Sequence, residues 1–478
     1  MRNLAEECIQ LLNEGLFEIT DAGPLHQPIR GFSIRRDEKL RLILETDAHP
    51  AATSSAVGQP PGTVCMSTER ALLRNLGGLE GEFRGVIPYS VTTHTRINSE
   101  QSLKEQAQVH TATTSNPRGE PVAYVIDWLE NLPHSPFTWP ASTEVVTNTV
   151  STRTISLDDG ITITSAREDH SHSSNTVKLT VDGITIYVCA LDGKDQPGAI
   201  KPGCIIYDGV PDDSFRKKVR VGLSFALGLY LVDLGATHYD SAWQIVSTLA
   251  RSAYSLGRHA FEIQTLQLAP LGPRFLNELT AAQLTRAVQA IVSAFDTLDL
   301  ANLHWAFWHA CAATPHIAPA HFGAAIEALQ SAYMKANPDT VPEGWAPRDS
   351  WKALRAGLAA AIDNTDIPNE AKTALKEKLS TLNSIDQRRR LKSIMAALAL
   401  QLGDDEDAAW RRRNKAAHGT PIPEGQELAA IRDMKLLRGV FQRLLLRITN
   451  AADQYIDYAS PNHDYRVLKD APPNAPTF

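Results

Sequence analysis

The chain has 478 residues, of which 43% are hydrophobic and 21% charged, with a formal net charge of −7. At about 100–200 residues per domain, this length predicts two to four domains with globular composition, which excludes a disordered chain. A charge of this sign argues against an evenly basic nucleic-acid binder, because phosphate contacts need clustered Lys and Arg.

No apolar run approaches the roughly 18–20 residues that span a bilayer. The opening Met1-Arg2-Asn3-Leu4-Ala5-Glu6-Glu7 carries acids where a secretory signal needs a basic and then an apolar region. A cytoplasmic protein is expected. The five cysteines, Cys8, Cys65, Cys189, Cys204 and Cys311, are scattered without a C-x-x-C pair. That spacing argues against a disulfide framework or a cysteine zinc site.

Residues 1–211 read as β-rich. Asp182-Gly183 sits between the alternations Val177/Leu179/Val181 and Ile184/Ile186/Val188. Asp-Gly in that setting predicts a hairpin, since a type I′ turn needs positive φ at both central residues. Asp158-Asp159-Gly160 between Thr152–Leu157 and Ile161–Thr164 predicts another. Leu40–Glu45 and Val122–Ile126 are further candidate strands, and His49–Gly62 reads as surface loop.

From Asp212 the pattern turns helical. Asp212-Asp213-Ser214 offers N-cap chemistry for a helix over Phe215–Leu234. Helices are then expected over Ser241–Leu256, Ala281–Leu298, His321–Ala336, Ser350–Ile362, Asn369–Leu382, Ile385–Leu402, Asp405–His418 and Glu424–Tyr458. The last carries an apolar face through Leu436, Leu437, Val440, Phe441, Leu444 and Leu445. The expected organisation is a β-rich domain over 1–211, a helical connection over 212–320, an all-α bundle over 321–460 and a loose tail over 461–478.

Common catalytic signatures are missing: there is no Walker A loop, dinucleotide-binding glycine motif, nucleophile elbow or H-E-x-x-H. Asp169-His170-Ser171-His172 falls in a polar stretch that reads as an exposed loop. His304, His309, Cys311, His316 and His321 form a second cluster. His304 and His309 lie about 140° apart on a helix, so a packed aromatic helix with Trp305, Phe307 and Trp308 is the favoured reading over a metal hydrolase.

Arg411-Arg412-Arg413-Asn414-Lys415-Ala416-Ala417-His418-Gly419 is different. It ends a helix that opens with Asp404-Asp405-Glu406-Asp407, and dipole complementarity with a glycine cap accounts for much of it. Four cations in five residues exceed what a dipole requires, and an imidazole sits beside them. Imidazole exchanges protons near neutral pH and guanidinium binds phosphate, so the group suits metal-free handling of an RNA backbone. Arg413 and His418 also diverge by about 140°. They share a site only if the last turn unwinds or a two-fold dimer brings two motifs together.

Arg413-Asn414-Lys415-Ala416-Ala417-His418 resembles the R-x4–6-H signature of HEPN domains, helical bundles that dimerise and include metal-independent endoribonucleases. The wider layout resembles the ApeA-type abortive-infection proteins, which join a β-rich N-terminal region to a C-terminal HEPN bundle. Supporting pieces are Glu14-Gly15-Leu16-Phe17 with Ile29-Arg30-Gly31-Phe32, and Phe307-Trp308-His309-Ala310 ahead of Ala325-Ile326-Glu327-Ala328-Leu329. The resemblance covers residues 320–458 and, loosely, the first 210.

It implies Arg413 binding and orienting the scissile phosphate, His418 as general acid/base, and Asn414 supporting the arginine or a phosphate oxygen. Arg411, Arg412 and Lys415 would contact the RNA backbone, with no metal or cofactor. It also implies a homodimer without membrane attachment, triggered by a phage-derived ligand at the N-terminal region to cleave cellular RNA. Arg388-Arg389-Arg390-Leu391-Lys392 is a second basic run, favoured as a solvated helix face. The alternative is a non-catalytic module that binds RNA or nucleotide, or dimerises, with the β-rich half doing the recognising. Residues 348–459 hold 19 Lys and Arg against 15 Asp and Glu, or +4, leaving −11 for the rest. The acidity therefore belongs to the front and middle of the chain.

Overall fold

The structure is a computed structural model and describes residues 6–54, 68–95, 101–133, 143–156, 162–190, 200–253, 269–271, 279–338, 341 and 344–474. Among the described residues a β-rich half over 17–251 precedes an all-helical region of eight helices over 281–449. The chain divides into two compact units, residues 1–292 and 293–478.

Helix α1 (Glu7–Glu14) opens the first unit and buries Cys8, Ile9 and Leu12. Its strands form an eleven-stranded and a four-stranded sheet, antiparallel at every assigned strand pair. Alternation sets which side is buried: in Ile184–Ala190, Ile186, Val188 and Ala190 are buried while the intervening residues are partly open. The Asp182-Gly183 hairpin forms as expected, with φ of 47° and 79° and Val181 opposite Ile184. The Asp158-Asp159-Gly160 turn and Cys65 lie outside the described residues. The strands Thr143–Ser156 and Thr162–Val181 on either side of that turn pair over their length.

Several local expectations are corrected. The Asp169–His172 stretch is strand, not loop: His170 stands opposite Asn148 and His172 opposite Val146. The β-branched partner strand carries the polar residues along its ladder. The candidate strand at Leu40 begins at Leu42, because Leu40 adopts φ 62° in a turn. That strand continues to Thr53, so His49–Thr53 is not loop. The Val122 strand runs over Tyr124–Pro133.

Helix α2 (Asp213–Leu227) is capped by Asp212, whose Oδ1 accepts from Phe215 N. It stops seven residues before the expected end, at Gly228 with φ 70°, a conformation glycine adopts without steric cost. Strands Asp233–Tyr239 and Ile245–Arg251 follow and pair with each other. Ile245–Arg251, expected within a helix over Ser241–Leu256, is therefore a strand, residues 254–256 lie outside the described residues, and residues 212–253 are not an all-helical connection. A short apolar run has no period that separates helix from strand, and here the neighbouring strands decide.

Asp127, on the Tyr124–Pro133 strand, is buried and ion-paired to Arg216 and Arg220 of α2. Tyr207 Oη donates to the same carboxylate at 3.2 Å. Nearby, His238 Nδ1 lies 3.1 Å from Ser247 Oγ. Burial, then the Arg216 charge, lowers the His238 pKa to about 4. Its unfolded value is near 6.5, so the unfolded chain binds the extra proton first as pH falls. Stability should drop between about pH 6.5 and 4, by up to about 3 kcal/mol from this residue, and be unaffected above pH 7. Urea midpoints across that range should show a flatter profile for His238→Gln than for wild type. Parallel profiles would refute the assignment.

The second unit begins at the end of α3 (Ala281–Ala294) and contains α4 (Leu300–Ala312), α5 (Ala318–Ala336), α6 (Arg348–Asp363), α7 (Asn369–Thr381), α8 (Gln387–Ala397), α9 (Asp404–Ala417) and α10 (Glu427–Thr449). Helix α5 packs on α4, α9 and α10, and α9 also packs on α10. Phe307 of α4 stacks on Phe441 of α10 at 4.9 Å and meets Phe322 of α5 edge-on. Trp308, Leu329, Trp410, Leu437 and Val440 complete this core, all buried.

Helix α10 ends at Asn450 (φ 56°) rather than Tyr458, and Gln454–Asp457 pairs with Asp464–Val467 as a small hairpin. Residues 461–474, expected as loose tail, are tied down. Leu468 is buried, and its carbonyl and that of Lys469 accept from the Arg443 guanidinium. Residues 475–478 lie outside the described residues. Among the described residues no helix is long and apolar enough to cross a membrane.

Candidate functional site

Helix α9 is built as its charge pattern demands. Glu406 Oε2 accepts from Gly403 N at 2.9 Å, closing the first turn. Three of its four acids are then engaged by cations from neighbouring helices. Glu406 pairs with Arg443 at 2.8 Å, both side chains sealed from solvent. Asp407 takes Arg388 through two bonds and Lys392 at 3.6 Å. Asp405 takes Arg432 at 2.8 Å. The Arg388 hydrogen bond holds the Asp407 carboxyl below the usual range. Arg388 and Lys392 of the second basic run are thus structural partners of α9.

At the other end the six candidate residues separate into two sets. Arg413 is buried. Its Nη2 ion-pairs with Glu327 of α5, Nη1 donates to Trp410 O at 2.8 Å, and its guanidinium lies 3.5 Å from the Trp410 ring centroid. Gly323 makes room for it: a Cβ there would sit 2.6 Å from Arg413 Cδ. Arg412 is held by Asp433 of α10 through two bonds of 2.7 and 2.6 Å.

The second set has no close carboxylate, whereas Arg412 is exposed but held. Arg411, Asn414, Lys415 and His418 are exposed, and their spacing of three, four and seven places them on one stripe of the helix. Arg411 has only a 3.9 Å approach to Asp407. Among the described residues the side chains of Asn414, Lys415 and His418 have no hydrogen-bond or ion-pair partner. His418 is the C-cap, its N–H bonded to Asn414 O at 3.1 Å, and Gly419 (φ 67°) turns the chain so that Thr420 N reaches Lys415 O at 3.0 Å. The last turn is wound, so Arg413 and His418 point about 140° apart.

Beside Lys415 lies a pocket of about 150 Å³ between α9, the segment Thr420–Pro423 and the starts of α5 and α10. Pro319, Pro421 and Ile422 supply apolar wall, and His316, Arg412, Lys415, Thr420, Gln426 and Asp433 the polar groups.

Of the other histidines, His304 Nδ1 bonds Trp308 Nε1 at 3.2 Å and His309 packs on Trp305 at 4.0 Å. No three His, Cys, Asp or Glu side chains among the described residues converge as metal ligands. Sequence reasoning missed Glu327, Gly323 and Asp433 as partners of the arginines. The only trace was Glu327 within the Ala325–Leu329 run. Comparison with protein-family models, curated proteins and solved structures finds no match for this chain.

Proposed function

We propose that the second unit is a HEPN-type, metal-independent endoribonuclease, the effector of an antiphage abortive-infection protein triggered through the β-rich half. The observation that carries this reading is the exposed stripe Arg411–Asn414–Lys415–His418 at the end of α9. His418 takes the proton from a ribose 2′-hydroxyl, whose oxygen attacks the adjacent phosphorus. Lys415 and Arg411 bind the phosphate oxygens as charge builds on them, and Asn414 hydrogen-bonds one of these oxygens. The 5′-oxygen then leaves with a proton, delivered by the His418 of a second copy in a two-fold dimer. The pocket beside Lys415 takes a flanking base against its prolines.

Arg413 serves differently in this scheme from the role implied by the family signature. Engaged by Glu327 and Trp410, it anchors α9 to α5 and sets where the stripe points. The same burial favours a second reading, a module that binds RNA or dimerises without cutting it. Full-length protein and its His418→Ala and Lys415→Ala variants, incubated with labelled RNA in excess chelator, distinguish the two. Cleavage by wild type that both substitutions reduce supports the nuclease. RNA binding without cleavage by wild type supports the module, and cleavage abolished by chelator refutes the metal-free mechanism.

A further inference from the structure

Cys189 and Cys204 lie fifteen residues apart in sequence, yet stand directly opposite each other on the adjacent antiparallel strands Ile184–Ala190 and Ile200–Asp208. Directly opposed residues of such strands have Cα atoms about 4.5–5.5 Å apart, inside the roughly 4.4–6.8 Å that a disulfide accepts. Both side chains project from one face of the sheet. Cys204 is buried, with Ile126, Trp128, Val232 and Leu234 around it, while Cys189 is half-buried at the margin of that cluster. Both thiols are free. One is within reach of a small oxidant and the other is held behind it.

We propose that Cys189 and Cys204 are a peroxide-modification site, in which Cys189 is oxidised first and Cys204 resolves it as a cross-strand disulfide. The Cys189 thiolate attacks one oxygen of hydrogen peroxide, the O–O bond breaks, and the departing hydroxide leaves as water with the proton released from the thiol. Cys189 is then a sulfenic acid. The Cys204 sulfur attacks the Cys189 sulfur, the S–O bond breaks, and hydroxide leaves as water with the Cys204 proton. Two thiols and one peroxide give one disulfide and two waters.

The order of attack has an electrostatic basis. The hydrogen bond from Cys204, with a smaller one from Thr176, brings the Cys189 thiol down to about 7 against the opposing effect of burial. The same bond, and then burial, push Cys204 well above the ordinary thiol range. The thiolate is the reactive form, so Cys189 is the nucleophile at neutral pH. The bond forms between strands already in register, so oxidation leaves the sheet in place and a dithiol reductant reverses it. Half-buried Cys311, its thiol pushed up to about 12 by desolvation, serves as the internal control.

Full-length protein is treated with hydrogen peroxide, alkylated and mapped by mass spectrometry without reduction. The expected product is a Cys189–Cys204 linked peptide short of two hydrogens, lost on dithiothreitol treatment, with Cys311 unmodified. Cys204→Ser should stop at the Cys189 sulfenic acid, trapped by a cyclic 1,3-dione. A persistent Cys189 sulfenic acid in wild type, a bond from either residue to Cys65, or oxidation of Cys311 no slower than Cys189 would overturn the proposal. If Cys204→Ser fails to fold by circular dichroism, the wild-type map alone decides.

Discussion

Replacing His418 by alanine should lower RNA cleavage by about 10²–10⁴-fold, the range for loss of a general acid–base group, and leave folding unchanged. The second half of this expectation makes the variant informative. His418 is exposed at the C-cap, its backbone N–H rather than its ring makes the helix-end bond, and no side-chain hydrogen bond or ion pair among the described residues is lost. Surface substitutions of that kind stay within about 0.5 kcal/mol.

Arg413→Ala offers no such separation. It strips the buried face of Trp410 and leaves Glu327 without its cation, so stability should fall by about 1–3 kcal/mol along with activity. Arg413→Lys keeps the charge and loses the planar stack, and it should recover part of that stability. Single-turnover cleavage read beside thermal unfolding of each variant checks the pair. Cleavage by His418→Ala within a few-fold of wild type would remove the nuclease reading. Lys415→Ala should weaken RNA binding and reduce its salt slope by about one.

Glu406→Ala should cost about 3–5 kcal/mol, because it leaves a buried guanidinium unpaired. Arg443 is sealed in the core of the second unit, where Glu406 accepts from Nη1 at 2.8 and 3.0 Å. The remaining donors reach the carbonyls of Gln401, Leu468 and Lys469 at 2.8, 3.2 and 3.3 Å. One arginine thus ties α9, α10 and the chain beyond the hairpin together, and among the described residues Glu406 is the carboxylate that ion-pairs with it. Burial pushes the Glu406 carboxyl up, while Arg443 pulls it back down. Glu406→Gln keeps one acceptor and should lose less. Urea unfolding followed by circular dichroism measures the difference, and a loss below about 1 kcal/mol for Glu406→Ala would contradict the assignment. A double replacement by apolar residues of similar volume should recover most of the loss, since a buried pair contributes little net stability over a well-packed apolar one.

Legibility in the sequence followed the range of the interactions. The Asp182-Gly183 turn, the Asp212 cap and the glycine after His418 each depend on residues within a few positions, and each stands where its local chemistry placed it. The strands at Asp233–Tyr239 and Ile245–Arg251 did not read through. Short mixed runs beside a helix carry no period of their own, and it is pairing with Tyr124–Pro133 and Thr111–Ser115 that makes them strands. The tail after Ser460 was misread for a related reason. Its order comes from Arg443 on α10, whose reach to Leu468 and Lys469 has no local signature.

The candidate site divides in the same way. By itself the sequence determined that a dense cationic run with an imidazole ends a helix between two others, because composition and helix-end chemistry are local. Only the tertiary structure decided which of those cations are held by a close carboxylate. Arg412 and Arg413 found carboxylates on α10 and α5, at Asp433 and at Glu327, 86 residues from Arg413. Arg411 and Lys415, with near-identical chemistry, face outward beside His418. A guanidinium is claimed by whichever anion packing brings within bonding distance, and that proximity is set by how helices stack rather than by neighbours in the chain.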